Sequence, residues 1–273
     1  MAAFPEASLI GSRASPGAAT AARNFIDRWI YVFMAGLCAA TILVGFIPDS
    51  IYLVAAVRAG QRPPFPIILH VHAVLMGAWV LLLMAQTFLV ASGRPALHRQ
   101  LGLAGAVLAP AIVLAGMILV PTIYRQTWDV YRHASAAQAG VMQQIVDIQG
   151  DLVLAEIRDL LVFGALVTLG LLARRTRPEV HKRLMILATL LILPPAIGRI
   201  PWLPSTMPGS PLSLELFTLL LVSPLFAWDL FRLRRVHRAY LIAGACYVPV
   251  AIAYGMAWGT PWWLGVVPRL MGN

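Results

Sequence analysis

The chain has 273 residues, a formal net charge of +10 and a mean hydropathy of +0.79, with 60% apolar and 12% charged residues. A soluble domain carries about twice that share of charged residues, so the composition excludes one and indicates a protein of the lipid bilayer. Membrane orientation and anionic lipid headgroups account for the positive charge, and no sequence feature points to a nucleic-acid partner.

The first 24 residues are rich in Ala, Ser, Gly and Pro and lack a compact apolar centre. They predict a disordered cytoplasmic tail rather than a cleaved signal peptide. Residues 25–265 contain seven apolar runs of roughly the 20 residues that a helix needs to cross a bilayer. These runs, spans 1 to 7, lie at about 28–48, 66–92, 99–120, 152–173, 183–201, 212–231 and 239–260. The predicted fold is all-α, a seven-helix transmembrane bundle.

Lys and Arg residues are distributed unevenly between the two sides of this topology. The N-terminus and the turns between spans 2 and 3, 4 and 5, and 6 and 7 share one side, which holds 14 of the 21 Lys and Arg residues. Positive residues stay on the cytoplasmic side of a membrane. We therefore expect a cytoplasmic N-terminus, a periplasmic C-terminus and a location in the bacterial inner membrane, with membrane lipids as partners.

A histidine followed by a basic residue recurs at the starts of spans 3, 5 and 7, at His98, His181 and His237. The first two copies are the closer pair, because Arg-Pro-x-x-His-Arg at 94–99 matches Arg-Pro-x-x-His-Lys at 177–182. Such repetition predicts a bundle built from repeated helical hairpins, in which spans 2–3, 4–5 and 6–7 are related.

An insertion interrupts the hairpin formed by spans 3 and 4. His98 and His181 are 83 residues apart, whereas His181 and His237 are 56 apart. The difference matches a segment at about 121–150, which we expect to cover a site on the outer face. Within this segment, the spacing of apolar residues over Tyr131–Ile148 predicts a short amphipathic helix on the outer membrane surface. Among the prolines within spans, the pair Pro194-Pro195 is the one we expect to open a cavity.

Ionisable side chains inside a span cost about 2.5–3.5 kcal/mol each at the bilayer centre and are therefore functional candidates. Span 2 carries His72, Trp79 and Gln86 at steps of seven, which places them on one helical stripe. His72 and Asp159 of span 4 have similar predicted depth, and Arg199 ends span 5. We hypothesise that these five residues line an outward-facing polar pocket for a small redox-active or lipid-like ligand. The other ionisable residues in the outer half are His70, Glu156, Arg158 and Glu215.

Simpler roles are open for the same residues. His72 either ties span 2 to a carboxylate on a neighbouring span or takes part in a divalent-metal site with Asp159. Arg199 either extends to lipid phosphate at the interface or pairs with Asp159 or Glu215.

A second interpretation concerns His98 and His181. Two histidines that face each other from different helices, near basic residues, are typical of b-type haem sites, so the alternative function is a haem redox protein. Anchoring at the membrane interface is the competing role for these histidines. A third interpretation is a non-catalytic accessory subunit of a respiratory complex, and a homo-oligomer stays open as well. Since no known catalytic motif occurs, the sequence leaves enzymatic activity undecided.

Five stretches, 72–79, 91–94, 97–102, 159–163 and 177–185, together with Gln86, resemble a widespread group of uncharacterised bacterial multi-pass membrane proteins with Leu-His-Arg-x-Leu-Gly and Val-His-Lys-Arg-Leu-Met motifs. The likeness extends over roughly residues 65–200. It implies the membrane fold and marks His72, His98, Asp159 and His181 as family-pattern positions without roles. His-Lys-Arg-Leu-Met alone is also similar to small bacterial membrane proteins of terminal-oxidase assembly.

Overall fold

A computed structural model describes residues 16–272, with side chains over 20–272. That part of the chain is helical and contains no strand. In chain order the helices are α1 (Pro16–Arg58), α2 (Ile67–Ala91), α3 (Pro95–Arg132), α4 (Ala139–Ala173), α5 (Pro178–Leu190), α6 (Pro194–Ile197), α7 (Leu212–Leu233), α8 (Arg238–Ala257) and α9 (Pro261–Leu270).

Within the described residues, six helical segments are long and apolar enough to cross a membrane: α1, α2, α3, the unit formed by α5 and α6, α7 and α8. The protein therefore has the character of a multi-pass membrane protein. Helix α4 has a comparable length of 35 residues but carries five charged side chains. The predicted seven-span topology depends on whether this helix also crosses.

The N-terminal prediction is only partly covered by the described residues. Positions 1–15 of the predicted tail lie outside them, whereas 16–24 form the first turns of α1 rather than a disordered segment. Helix α1 also continues ten residues beyond the predicted end of span 1, through Pro48 to Arg58. A proline is accommodated within a helix of a membrane bundle because neighbouring groups satisfy the freed carbonyl.

The predicted surface helix at Tyr131–Ile148 is not a separate element. Helix α3 runs through Pro121 to Arg132, a short turn follows, and α4 begins at Ala139. Because α3 and α4 both extend into this segment, its backbone N–H and C=O groups are hydrogen-bonded within these two helices rather than in a separate surface helix. The 38 residues of α3 span about 57 Å, well beyond the roughly 30 Å of bilayer hydrocarbon. The insertion thus lengthens the hairpin of α3 and α4.

Helices α2 to α5 form a four-helix unit with a shared apolar core. Trp79 of α2 donates from Nε1 to Thr189 Oγ1 of α5 at 3.0 Å, and its ring packs edge-on against Phe163 of α4 at 5.0 Å. Leu166 and Leu184 are fully buried in the same core. Helix α1 packs against α2, α5, α6 and α7, and α8 covers α4 and α5. The helices α4 and α5 are therefore the central ones.

The pair Pro194-Pro195 interrupts the helix of the fifth span. Helix α5 ends at Leu190, and α6 restarts at Pro194. The cavity beside this break is small, about 20 Å³, and is lined by apolar residues together with Ser205 and Ser213. The break therefore bends the span without creating room for a sizeable ligand.

The C-terminal helix α9 was not predicted. Thr260 caps its start by accepting from Trp263 N at 3.3 Å, and Trp263 Nε1 donates to the Gly150 carbonyl at 2.8 Å. Arg125 donates to the Met271 carbonyl at 2.5 Å. Helix α9 is thus fixed across the extended ends of α3 and α4.

Two ends of the bundle can now be defined. At the basic end, the start of α1 meets the ends of α2 and α7, because Arg28 donates to the Ala91 carbonyl and Arg232 donates to both carboxylate oxygens of Asp27. The turns after α2, α4 and α7 lie there. The distal end holds the turns after α1, α3 and α8, together with α9.

Helix α1 approaches α6 so closely at Gly45 that a methyl group there would overlap the Ala196 main chain. We expect Gly45→Ala to destabilise the protein by about 1–3 kcal/mol, as overpacking does, measured as thermal unfolding in detergent by circular dichroism. The matched control is Gly36→Ala on the same helix, where nothing lies within 4 Å. Since alanine favours helix over glycine by about 1 kcal/mol, the control should be neutral or stabilising, and equal responses of the two variants would contradict this packing.

Candidate functional sites

The two closely repeated histidines meet at the basic end. His98 and His181 each occupy the fourth position of their helices, three residues after the proline that begins α3 or α5. A proline at the first helical position fixes where a helix starts, so the repeated motif sets both rings at equivalent places. Their ring centres are 6.4 Å apart, with an angle of 69° between the planes. The prediction that these histidines face each other agrees with this geometry.

The tautomer of His181 follows from its hydrogen bond. Its Nδ1 lies 2.9 Å from the Gly170 carbonyl oxygen of α4. Because a carbonyl only accepts, Nδ1 carries the proton, and Nε2 keeps a free lone pair. Gly170 also allows α5 to lie close to α4, since an added Cβ there would lie 3.2 Å from Met185 Sδ and 3.4 Å from Leu184 Cβ. Nε2 is the nitrogen that remains for a ligand.

Near His98, two buried polar atoms have no hydrogen-bond partner. His98 Nδ1 and Gln86 Oε1 are both buried without a hydrogen-bond partner. The His98 ring lies beside the main-chain carbonyl of Gln86. The Gln86 amide faces Gly102, one turn along α3 from His98. Gln86 therefore belongs to the histidine pair rather than to the predicted pocket at the other side of the bundle.

A second polar site joins α7 to the central helices. Helix α7 carries two carboxylates fourteen residues apart, Asp229 near its end and Glu215 near its start. Arg183 of α5 donates to both oxygens of Asp229 at 2.5 and 2.7 Å, and Tyr240 of α8 donates to it at 2.6 Å. This group lies toward the basic end and pairs one cation with one carboxylate.

The group around Glu215 repeats this arrangement with an additional acid. Glu215 accepts from Arg158 of α4 and from Tyr247 of α8. Arg158 also donates from Nε and an Nη to Asp159 Oδ1 at 3.0 and 2.7 Å. Its guanidinium lies 4.7 Å from the ring centre of Tyr254, a cation–π contact. We call these five residues the distal charge cluster.

Two atoms of the distal charge cluster lack partners. Asp159 Oδ2 and the Tyr254 hydroxyl are buried with no hydrogen bond, and the two residues are 7% and 4% exposed. Arg158 itself is 1% exposed. The cluster thus contains two buried polar atoms with unused hydrogen-bonding capacity, next to the Glu215 side chain, which is 18% exposed.

The sequence contains a pattern of tyrosines that points to this site, and the search for ionisable residues inside the spans did not consider it. Tyr240, Tyr247 and Tyr254 follow each other at steps of seven on α8, which puts them on one side of that helix. Arg158 and Glu215 were recognised as ionisable residues in the spans, but their pairing was not predicted. The tyrosine stripe identifies the side of α8 that they share.

The five predicted pocket residues are not gathered around one cavity. Trp79 is buried in the core of the four-helix unit, and Gln86 lies at the basic end beside His98. His72 is half-buried with its Nδ1 unpaired, and no contact with Asp159 is recorded within the described residues. Equal depth predicted that His72 and Asp159 meet, yet depth does not fix which way a helix turns its side chains. Ligand binding by this set stays a prediction.

Arg199 pairs with neither Asp159 nor Glu215. It donates from Nε to Asp49 of α1 at 3.0 Å and from an Nη to the Pro195 carbonyl at 2.6 Å, and its guanidinium lies 4.7 Å from the Phe46 ring centre. Of the two roles left open for Arg199, the pairing with Asp159 or Glu215 is therefore wrong; span 1 was treated as a simple anchor, although its helix extends far enough to supply Asp49.

The third repeated histidine has a different role. His237 precedes α8 and caps it by accepting from Ala239 N at 3.2 Å. Partial burial lowers the pKa of His237 below its usual range, which favours the neutral ring that can accept this bond. His237 is therefore not equivalent to His98 and His181.

Over residues 20–272, no group of three or more His, Cys, Asp or Glu side chains could hold a metal ion. Cys38 and Cys246 are free thiols. Comparison of the chain with known protein families, with curated proteins and with solved structures finds no match. The resemblance to bacterial multi-pass membrane proteins therefore stays a prediction, and the geometry carries the functional argument.

Removing Arg158 would leave the Asp159 and Glu215 carboxylates buried without their cation. We expect Arg158→Ala to destabilise the protein by about 3–5 kcal/mol, as loss of one partner of a buried ion pair does, measured by thermal and denaturant unfolding in detergent. The matched control is Arg199→Ala, because the Arg199 side chain is 39% exposed and such pairs contribute about 0–1 kcal/mol. Similar losses in both variants would contradict the structural importance of the distal charge cluster.

Proposed function

We propose that the protein is a b-type haem protein of the membrane, in which His98 and His181 are the two axial ligands and electron transfer is the function. The observation that carries this proposal is the 6.4 Å separation of the two imidazole rings, which extend from different helices.

This separation agrees with ligation of one ion from both sides. A metal-to-imidazole nitrogen bond is about 2 Å long, so two nitrogens on opposite sides of an ion are about 4 Å apart and their ring centres about 6 Å. Edge-to-face ring contacts extend over about 4.5–7 Å between centres, so the separation fits direct ring contact as well and the spectrum described below distinguishes the two arrangements. An interplanar angle of 69° fits as well, since axial rings are free to rotate about the line through the ion.

The number of ligands favours haem over a bare ion. A zinc site needs at least three protein ligands, and the part of the chain with described side chains offers no such set. Haem iron receives four nitrogens from the porphyrin and needs two from the protein. Since no Cys-x-x-Cys-His sequence is present, the haem would be held without covalent attachment.

The surroundings of the pair suit a flat cofactor with two acidic groups. Helices α3 and α5 each pack against α4, and neither the cavity at the turn between α3 and α4 nor the one beside α6 is lined by His98 or His181, so a haem would have to enter between the first turns of α3 and α5. Arginines at the same end have the charge to bind propionates: Arg94, Arg99, Arg174, Arg175 and Arg177.

The protein's own groups would tune such a site. When bound, the haem supplies one-electron chemistry. The Gly170 carbonyl holds the His181 ring and its tautomer, which raises the basicity of the ligating nitrogen. Gln86 Oε1 and His98 Nδ1 are both buried without a hydrogen-bond partner, so each has capacity left for a group bound beside the pair. The apolar core on the other side of the rings limits access of water.

The proposal includes a topology. If α4 crosses the bilayer as a seventh span, its charged residues are supported by α7 and α8, and the turns after α2, α4 and α7 lie on one side. The positive-inside rule then places the basic end, and with it the histidine pair, at the cytoplasmic face of the bacterial inner membrane.

The test is an absorption spectrum of the full chain, purified in detergent from cells supplied with a haem precursor. We expect a low-spin spectrum with reducible haem b, identified by its pyridine derivative. Mutation of a group that only supports a metal ligand lowers metal affinity about 10–100-fold. Removal of a ligand itself should lower it further, so His98→Ala and His181→Ala should each lose most of the bound haem.

The matched control is His237→Ala, which changes the third copy of the repeat without touching the pair. It should keep the wild-type haem content and spectrum. A wild-type protein that stays colourless after incubation with haem, or two histidine variants that keep its low-spin spectrum, would refute the proposal.

A further inference from the structure

The distal charge cluster holds more carboxylates than cations. Arg158 is the one cation shared by Asp159 and Glu215, and Glu156 interacts electrostatically with Arg158 and Arg199. Arg199 already pairs with Asp49. The corresponding group toward the basic end is balanced, because Arg183 faces Asp229 alone. The distal cluster thus carries an excess of negative charge.

An unbalanced charge in a region that excludes water is unstable unless it is neutralised. Arg158 is 1% exposed and Asp159 is 7% exposed, and counting from Ala173 places them about 21–23 Å along α4 from the basic end. The cavities at the turn between α3 and α4 and beside α6 are not lined by Arg158, Asp159 or Tyr254. A proton can neutralise this charge without a cavity, because it binds directly to a carboxylate oxygen.

Independent support comes from the two unpaired atoms. Asp159 Oδ2 is a buried oxygen without a donor, and the Tyr254 hydroxyl is a buried donor without an acceptor. Tyr254 is 4% exposed and its ring lies against the Arg158 guanidinium. A carboxylate oxygen with no hydrogen bond is the one on which a proton can reside without breaking an existing contact.

A series of titratable groups connects this oxygen with the distal end. Asp151 lies seven residues before Arg158, on the same side of α4, and its Oδ1 accepts from Gly259 N at 2.8 Å in the turn after α8. Tyr254 is close enough to interact electrostatically with both Asp151 and Asp159. Asp147, half-buried and four residues before Asp151, bonds to Gln143 at 2.7 Å nearer the helix start.

We infer that Asp159 and Glu215 together hold one exchangeable proton, which enters and leaves from the distal end by way of Asp151 and Tyr254. In uptake, a proton from water adds to Asp159 Oδ2, the cluster gains one positive charge, and no electron moves. Release reverses this step. The groups that face Asp159 are Arg158 and Glu156 on α4, Glu215 from α7, and Tyr247 and Tyr254 from α8, with Arg199 beside Glu156. The inference is independent of haem binding.

Infrared spectroscopy of the full chain in lipid measures this proton directly. We expect a carboxylic-acid C=O band at neutral pH that shifts in heavy water and is lost at high pH. Wild-type protein made with ¹³C-labelled aspartate, and separately with labelled glutamate, assigns the band without any mutation. In Asp159→Asn the band should disappear or move to the glutamate, whereas Tyr254→Phe should keep it and slow its exchange with heavy water.

Asp49→Asn is the matched control, because it removes a carboxylate from a more exposed ion pair outside the cluster. It should leave the band unchanged. The inference is overturned if no carboxylic-acid band is present at neutral pH, or if the assigned band is insensitive to Asp159→Asn and Glu215→Gln. It is also overturned if Na⁺ at constant pH, rather than pH, changes the carboxylate bands.

Discussion

The need to neutralise buried charge determines how the outer helices attach to the central ones. Two arginines on α4 and α5, Arg158 and Arg183, extend toward α7 and find carboxylates at its two ends. In a medium of low dielectric, each unpaired charge would cost several kcal/mol, so these pairs fix the position of α7 along its whole length. Tyrosines of α8 complete both groups, which ties α8 to the same arrangement. Apolar packing alone would leave the rotation of α7 much less restricted.

Helix α4 contributes to two polar regions with different chemistry, one at each side of the apolar core. Gly170 of α4 is level with His181 through their hydrogen bond, and Arg158 lies twelve residues earlier, about 18 Å along the helix. Between them the core is apolar, with Val162, Phe163 and Leu166 almost completely buried. The proposed haem site and the proposed proton site lie at opposite sides of this core, so each would titrate with little direct electrostatic effect on the other.

Hydrophobicity predicted the helices well, because crossing a bilayer requires long apolar runs whatever their partners. Their ends were predicted less well: α1 and α3 pass through prolines, and α9 begins at a capped Thr260 beyond the last predicted span. Contacts between spans were harder still. Depth in the membrane follows from counting residues, but the direction of a side chain around its helix depends on packing. His72 and Asp159 therefore matched in predicted depth, yet His72 Nδ1 and Asp159 Oδ2 both lack a hydrogen-bond partner. Arg199 pairs with Asp49, on a helix that was assigned no polar role.

The histidine pair could be predicted because its geometry is local. A proline three residues earlier starts α3 and α5 at equivalent points, so the repeat itself specifies where both rings lie. The third copy has Arg234 where the others have proline, its helix starts after His237, and the ring becomes a cap. Interfacial anchoring alone would give three equivalent histidines, since all three stand beside basic residues. Two neighbouring rings, one of them with a fixed tautomer, and a third ring used as a helix cap support the haem site proposed above.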